Sequence, residues 1–288
     1  MPDIAILFAI FAAAAWAIGM TTAKPALRHM DLVSYTVMRW LLVSLLALVY
    51  ALLTHRLIFP GWWAVALAIF AGILDSTFGG MFYLLAMERT SAYQTTTLSS
   101  TAPLWGVMGA ILVLGEPLLW RVIVAAVLVI LGAVFLTERR SSSLPKAWTG
   151  AAFALTTGFL WGFAETVPAK LALEAGMTPE TLLVTFAVSG ALGMLALTPI
   201  LRARIPRRVE TRGFLFVVIS AIGGAFLGWL FWLYALGLAP ASVISPIRGS
   251  TLLFAFVYSM VFLKERPTPK ALVGIALVAC GVVLVSLS

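Results

Sequence analysis

Residues 62–87 read WWAVALAIFAGILDSTFGGMFYLLAM. The run opens on two tryptophans, stops at Glu88-Arg89, and holds one ionisable residue, Asp75, near its middle. A bilayer core of about 30 Å takes about 20 apolar residues of α-helix at about 1.5 Å each, so this stretch is long enough to cross. It does not alternate polar with apolar residues, which argues against a membrane β-strand. In hydrocarbon its backbone must satisfy its own hydrogen bonds, and that makes it a helix.

The same reading applies to 4–23, 32–53, 92–114, 119–137, 148–169, 180–201, 213–236, 240–263 and 268–287. Between them stand charge and turn signals such as Lys24-Pro25, Glu116-Pro117 and Gly237 to Pro240. Of the 288 residues, 62% are hydrophobic and only 10% charged, against roughly 25% charged in soluble domains. So few charges cannot keep a soluble surface dissolved, and most of the surface must meet lipid. The expected fold is an all-α polytopic membrane protein of ten transmembrane helices, with no soluble domain. The 4–23 run has no basic residue ahead of it and reads as a retained first helix rather than a secretory signal. The net charge is +8, but the basic residues lie between apolar runs, so nucleic acid is not an expected partner. With Cys280 the one cysteine, no intrachain disulfide can form.

Charge also sets an orientation. Joints from odd to even spans carry Lys24, Arg28, Arg89, Arg139, Arg140, Lys146, Arg202, Arg204, Arg207, Arg208, Arg212, Lys264, Arg266 and Lys270. The other side has Arg56, Arg121 and Lys170. The positive-inside rule puts the first set in the cytoplasm and both termini away from it.

A shift of 149 positions aligns the halves without a gap. Phe82-Tyr83-Leu84-Leu85-Ala86 meets Phe231-Trp232-Leu233-Tyr234-Ala235, Leu114-Gly115-Glu116 meets Leu263-Lys264-Glu265, and Gly132 meets Gly281. With a small gap Ala15-Trp16-Ala17 also meets Leu160-Trp161-Gly162. Matching turn acids in register with helix residues are hard to obtain from Leu/Ala-rich helices by chance. Two units, 1–140 and 141–288, each have five spans. An odd number makes the second enter the membrane upside down, the inverted-repeat plan with a substrate site at the repeat interface.

The five-span halves, the Ala-Trp start of each, and the turns Leu114-Gly115-Glu116-Pro117 and Leu263-Lys264-Glu265-Arg266-Pro267 resemble the drug/metabolite transporter superfamily. Within it the chain looks like the EamA-type ten-helix exporters and is most similar to the YddG-type aromatic amino acid exporters. The resemblance implies a central cavity lined by helices one, three, four, six, eight and nine, with five and ten peripheral. It also implies export of aromatic and other neutral amino acids. A monomer in the bacterial inner (plasma) membrane, with the lipid bilayer and an amino acid as partners and no cofactor, completes the expectation.

Four charged residues fall more than three residues inside a span: Arg39, Asp75, Glu165 and Arg248. Each costs about 2.5–3.5 kcal/mol to insert and is a functional candidate by default. Asp75 can bind an ammonium or carry a proton, or be a structural hydrogen-bonding carboxylate. Glu165 and Arg248 have similar depth; they offer a zwitterion both charges or pair with each other. Arg39 reads as a stem that snorkels to the cytoplasmic side. Trp16 and Trp161 sit inside spans away from the interfacial belt, and they, like Phe78, Tyr83 and Trp229, either wall a flat apolar pocket or pack helices. The polar run holding Ser99 reads as cavity wall, and Ser245 precedes the mid-span Pro246, a hinge or an ordinary kink. The expected substrate-binding set is therefore Trp16, Asp75, Phe78, Tyr83, Ser99, Trp161, Glu165, Trp229, Ser245 and Arg248.

Rival functions fare less well. His29 and His55 lie in joints on opposite sides, and the sequence has no metal-ligand cluster or nucleophile–base pair, so an enzyme or a bound metal is not expected. There is no P-loop for ATP-driven pumping. A channel would need a carboxylate ring or filter that is not visible. Export of cationic drugs or other metabolites, within the same superfamily, and a structural role as an intramembrane scaffold are the remaining rivals.

Overall fold

A computed structural model describes residues 2–89, 95, 98–136, 147–199, 210–263 and 269–286. Arg139, Arg140, Lys146, Arg202, Arg204, Arg207, Arg208, Lys264, Glu265, Arg266 and Pro267 lie outside the described residues, as do Gln94, Thr96 and Thr97 of the polar run.

The described residues are helical, with no strand among them. In chain order they form α1 (Pro2–Ala26), α2 (Leu32–Leu53), α3 (Trp62–Gly72), a π-helical turn (Ile73–Gly79) and α4 (Gly80–Arg89). Next come α5 (Ala102–Leu112), α6 (Trp120–Leu136), α7 (Ala147–Glu174) and α8 (Pro179–Leu197). A second π-helical turn (Ser220–Phe226) then joins α9 (Thr211–Ile219) to α10 (Leu227–Leu238), and α11 (Ala241–Arg248), α12 (Thr251–Leu263) and α13 (Pro269–Ser286) follow. Among the described residues, six continuous stretches have the length and hydropathy to cross a bilayer: Asp3–Ala23, Leu32–Leu53, Trp62–Arg89, Pro179–Leu197, Thr211–Leu238 and Ala241–Phe262. Shorter apolar helices lie in α5, α6 and α13.

Local chemistry sets the boundaries. Asp31 caps α2 by accepting from Ser34 N at 2.9 Å and Ser34 Oγ at 2.6 Å. Thr178 accepts from Thr181 N ahead of Pro179, a residue suited to the first helical turn. At the end of α7 the chain turns through Gly176 at φ +91°, a left-handed conformation that favours glycine. Glu116 caps from a distance: its two carboxylate oxygens accept from Ala241 N and Ser242 N, both at 2.7 Å, at the start of α11.

Packing rests on small residues, as expected where lipid is as apolar as leucine. α6 and α13 form one close pair. A Cβ on Gly132 would lie 2.8 Å from Gly274 O, and one on Gly281 would lie 2.9 Å from Ala125 O. α1 packs on α10, and α7 packs on α3 and α4, while α2 packs on α8. Gly162 brings α7 so close to the Ala102 carbonyl of α5 that no side chain would fit. The outer surface exposes leucine and valine along its helices, among them Leu41, Leu45 and Leu52 of α2, the face that acyl chains cover.

Candidate functional site

Midway along the helices lies a cavity of about 290 Å³. Aromatic rings supply its apolar wall: Trp16 from α1, Tyr83 from α4, Trp161 from α7 and Trp229 from α10. The two repeat-related tryptophans are placed alike. Each lies against a glycine of the opposite half, Trp161 on Gly79 and Trp16 on Gly228, and those glycines are 149 positions apart. A Cβ would come within 2.7 Å of Trp161 and 2.5 Å of Trp16. Tyr83 stacks beside Trp161 at 5.3 Å, and Trp229 meets Trp16 edge-on at 5.9 Å. Trp161 Nε1 donates to Asp75 O at 3.2 Å inside the first π-helical turn. Such turns leave backbone carbonyls displaced from the regular ladder, and here one of them holds a wall residue.

Charge reaches the cavity from four elements, as Arg39, Asp75, Glu165 and Arg248. Arg248 faces Glu165 with its fork: Nε donates to Oε2 and Nη2 to Oε1 at 2.5 Å. The Arg248 guanidinium also lies 5.4 Å from the Trp16 ring, a cation–π contact. Asp75, 5% exposed, accepts from Ser76 Oγ at 3.1 Å. It lies within electrostatic reach of Glu165, Arg248 and Arg39. The sequence register shows what breaks the two-fold pattern. Opposite Asp75, Glu165 and Arg248 stand Gly224, Met20 and Ser99. Where one half carries a charge, its mirror position carries a small or neutral group, so a bound molecule meets an asymmetric chamber.

Eight of the ten expected site residues surround this cavity: Trp16, Asp75, Tyr83, Ser99, Trp161, Glu165, Trp229 and Arg248. Phe78 and Ser245 do not line it. Phe78 is 41% exposed on the outer surface. It sits three residues after Asp75 in the π-helical turn, whose wider i→i+5 winding rotates it away from the face that an α-helix would give it. Ser245 is buried behind the wall at 1% exposure. Its hydroxyl meets Thr166 Oγ1 at 3.4 Å and packs where a side chain on Gly106 would go, filling the junction of α11 with α5 and α7.

Helix two is the feature that sequence reasoning missed. Tyr35, Arg39 and Trp40 line the cavity beside the helices that the family resemblance implied. Arg39 does not snorkel: its guanidinium lies 5.7 Å from the Tyr35 ring and 5.5 Å from the Trp40 ring. The signal that points to it is the aromatic spacing itself, with rings four before and one after the arginine in 32–53.

The wall runs from mid-helix to Ala23 and Leu32, at the α1–α2 joint. At the opposite ends, side chains tie helices together. Tyr234 Oη donates to Glu180 Oε1 at 2.5 Å, with Arg56 Nη1 3.8 Å from the same oxygen. Lys170 Nζ donates to Leu236 O at 2.6 Å and Ala239 O at 3.1 Å. With the Glu116 cap on α11, these contacts join helices at the end where none of the cavity-lining residues lies.

Comparison with known proteins agrees with this architecture. A search of curated proteins returns no match. One solved crystal structure superposes with a TM-score of 0.83 at 18% sequence identity, covering 98% of this chain and 96% of that one, a likeness of fold. The family model for EamA-like transporters matches twice, at 3–138 and again at 148–287. Helices apolar enough for a bilayer, a polar chamber between them, and that double match over nearly the whole length make this chain a member of the EamA-like transporter family.

Proposed function

We propose that the protein is a secondary transporter that exports aromatic and other neutral amino acids across the bacterial inner membrane by alternating access. The observation that carries this reading is the chamber: flat aromatic walls, both signs of charge at mid-depth, and side chains that join helices at one end. In this reading the chain crosses the membrane ten times as two inverted five-helix repeats, 1–140 and 141–288, and works as a monomer. The double family match and the like seating of Trp16 and Trp161 support the repeat. The basic joints put the α1–α2 end in the cytoplasm, so the cavity accepts substrate from inside. Substrate binds between the halves, and the halves rock about it.

Export of cationic drugs is the second reading. It is favoured by Asp75, which forms no ion pair among the described residues. Counterflow into liposomes holding purified protein, run over a panel of amino acids and cationic drugs, separates the two. Aromatic amino acids are expected to exchange fastest, and exchange of cations alone would move the assignment to the second reading. Repeating the assay with a pH gradient and with Asp75→Asn tests coupling; a rate indifferent to both would remove any proton-carrying role from Asp75.

A further inference from the structure

The cavity holds two arginines, and they are in opposite situations. Arg248 is neutralised: its planar fork is matched by both oxygens of Glu165. Arg39 has no such match. Its Nε is buried without a hydrogen-bond partner, and its side chain is in no ion pair among the described residues. A guanidinium stays ionised at any working pH and carries five donors. A buried donor without an acceptor is costly, and an ionisable residue inside a span is a functional candidate by default.

The surroundings of Arg39 fix its orientation without neutralising it. Tyr35 and Trp40 present ring faces to it, which orient the guanidinium plane and leave its hydrogen-bonding capacity unspent. Tyr35 is itself anchored, with its hydroxyl 2.5 Å from Ser220 Oγ in the second π-helical turn. Gly19 of α1 leaves room beside the fork: a Cβ there would lie 3.8 Å from Arg39 Nη1. The acid nearest to it in the chamber is Asp75, which accepts from the Ser76 hydroxyl, hydrogen-bonds the Glu165 carboxyl group and is held in no ion pair among the described residues. Glu165 is occupied by Arg248. So the charged group with a donor to spare is Arg39, rather than the Glu165–Arg248 pair that similar depth alone would nominate.

From this geometry we infer that Arg39 is the carboxylate anchor of the transport site. It takes the acid group of a small amphiphile in a two-pronged pairing, while the apolar body lies against Trp16 and Trp161 and any ammonium turns to Asp75. The planar fork matches a carboxylate as a point charge cannot. The inference rests on the proposed function for its physiological substrate, but it assigns a binding chemistry that is measurable without transport.

The binding arm uses the full-length protein in detergent, following tryptophan emission as 3-phenylpropionate is added. This probe has the ring and the carboxylate but no ammonium, and Trp40 reports from beside Arg39. Saturable quenching is expected in the unmodified protein, with affinity lower by at least about 10-fold in Arg39→Gln. Arg39→Lys is the second variant: it keeps the charge, loses the fork, and serves if the glutamine variant does not fold. Its affinity is expected to fall as well, by less. No quenching in the unmodified protein, or equal affinity in either variant, overturns the inference. The transport arm compares counterflow of L-phenylalanine with that of phenethylamine, which lacks the carboxylate. Preference for phenylalanine is expected to drop at least about 10-fold in Arg39→Gln and by less in Arg39→Lys, a selectivity change that a merely structural arginine would not produce. If unmodified protein binds 3-phenylpropionate through Arg39 yet moves no phenylalanine, the amino acid reading fails and the anchor stands.

Discussion

Glu165 sits 3% exposed, reached by an arginine from another helix of the same chamber. Two charges taken out of water are tolerable only as a pair, and removing one partner costs more than removing both. Glu165→Gln leaves Arg248 ionised beside Trp16 with a neutral amide in place of its anion. We expect a loss of about 3–5 kcal/mol, read as a lowered midpoint of thermal unfolding in detergent. The double variant Glu165→Met with Arg248→Met is expected to unfold at a higher temperature than Glu165→Gln. A double variant less stable than the single would mean that the pair does not bear on the fold. Arg39 shows the limit of reading such residues from sequence. Its position some seven residues into a span fits snorkelling, because a long stem spans that depth. What the sequence does not record is which way the stem turns, and here two neighbouring rings hold it inward.

At the scale of the element, the helices are legible in the sequence because lipid leaves one answer for a long apolar run, and the described helices lie where the runs predict. The joints are equally clear, since Asp31, Thr178 and Gly176 carry their capping chemistry in their identity. The π-helical turns at Ile73–Gly79 and Ser220–Phe226 are not. Apart from Asp75 their residues are apolar, small and hydroxylated, with no period that separates i→i+5 from i→i+4 winding, and α-helical spacing assigns Phe78 to the wrong face for that reason. These turns end on or beside the glycines that carry the wall tryptophans. Gly79→Ala is therefore expected to push Trp161 off its seat and break its hydrogen bond to Asp75 O. Overpacking of this kind costs about 1–3 kcal/mol, which predicts a KM for phenylalanine raised on the order of 10-fold in liposomes. Gly237→Ala, also within a helix but with nothing within 4 Å of its Cβ, is the control. An unmoved KM in Gly79→Ala would show that Trp161 does not shape the site.

For the molecule as a whole, the proposed alternating access needs two arrangements a few kcal/mol apart, and in that proposal the contacts at the end away from the α1–α2 joint set the gap. They are few and polar: Tyr234 on Glu180, Lys170 on two carbonyls, and the Glu116 carboxylate on two backbone N–H groups of α11. Hydrogen bonds to charged groups contribute about 1.5–3 kcal/mol each, and about 1.4 kcal/mol is a factor of ten in population. Loosening this end must raise the minor population open to that side. Glu116→Gln keeps the size of the side chain but leaves one amide oxygen to accept where two carboxylate oxygens did. We expect it to increase access from that end on the order of 10-fold. The readout is an impermeant maleimide applied to a cysteine at Met20, a wall residue, with the exposed Cys280 replaced by serine. Right-side-out and inside-out vesicles give the two directions of access. In Glu116→Gln, labelling from the side away from the α1–α2 joint should accelerate while labelling from the joint side slows slightly, because a population taken from one state is gained by the other. Acceleration from both sides at once would mean that the cap holds the helices together rather than setting the balance between two states.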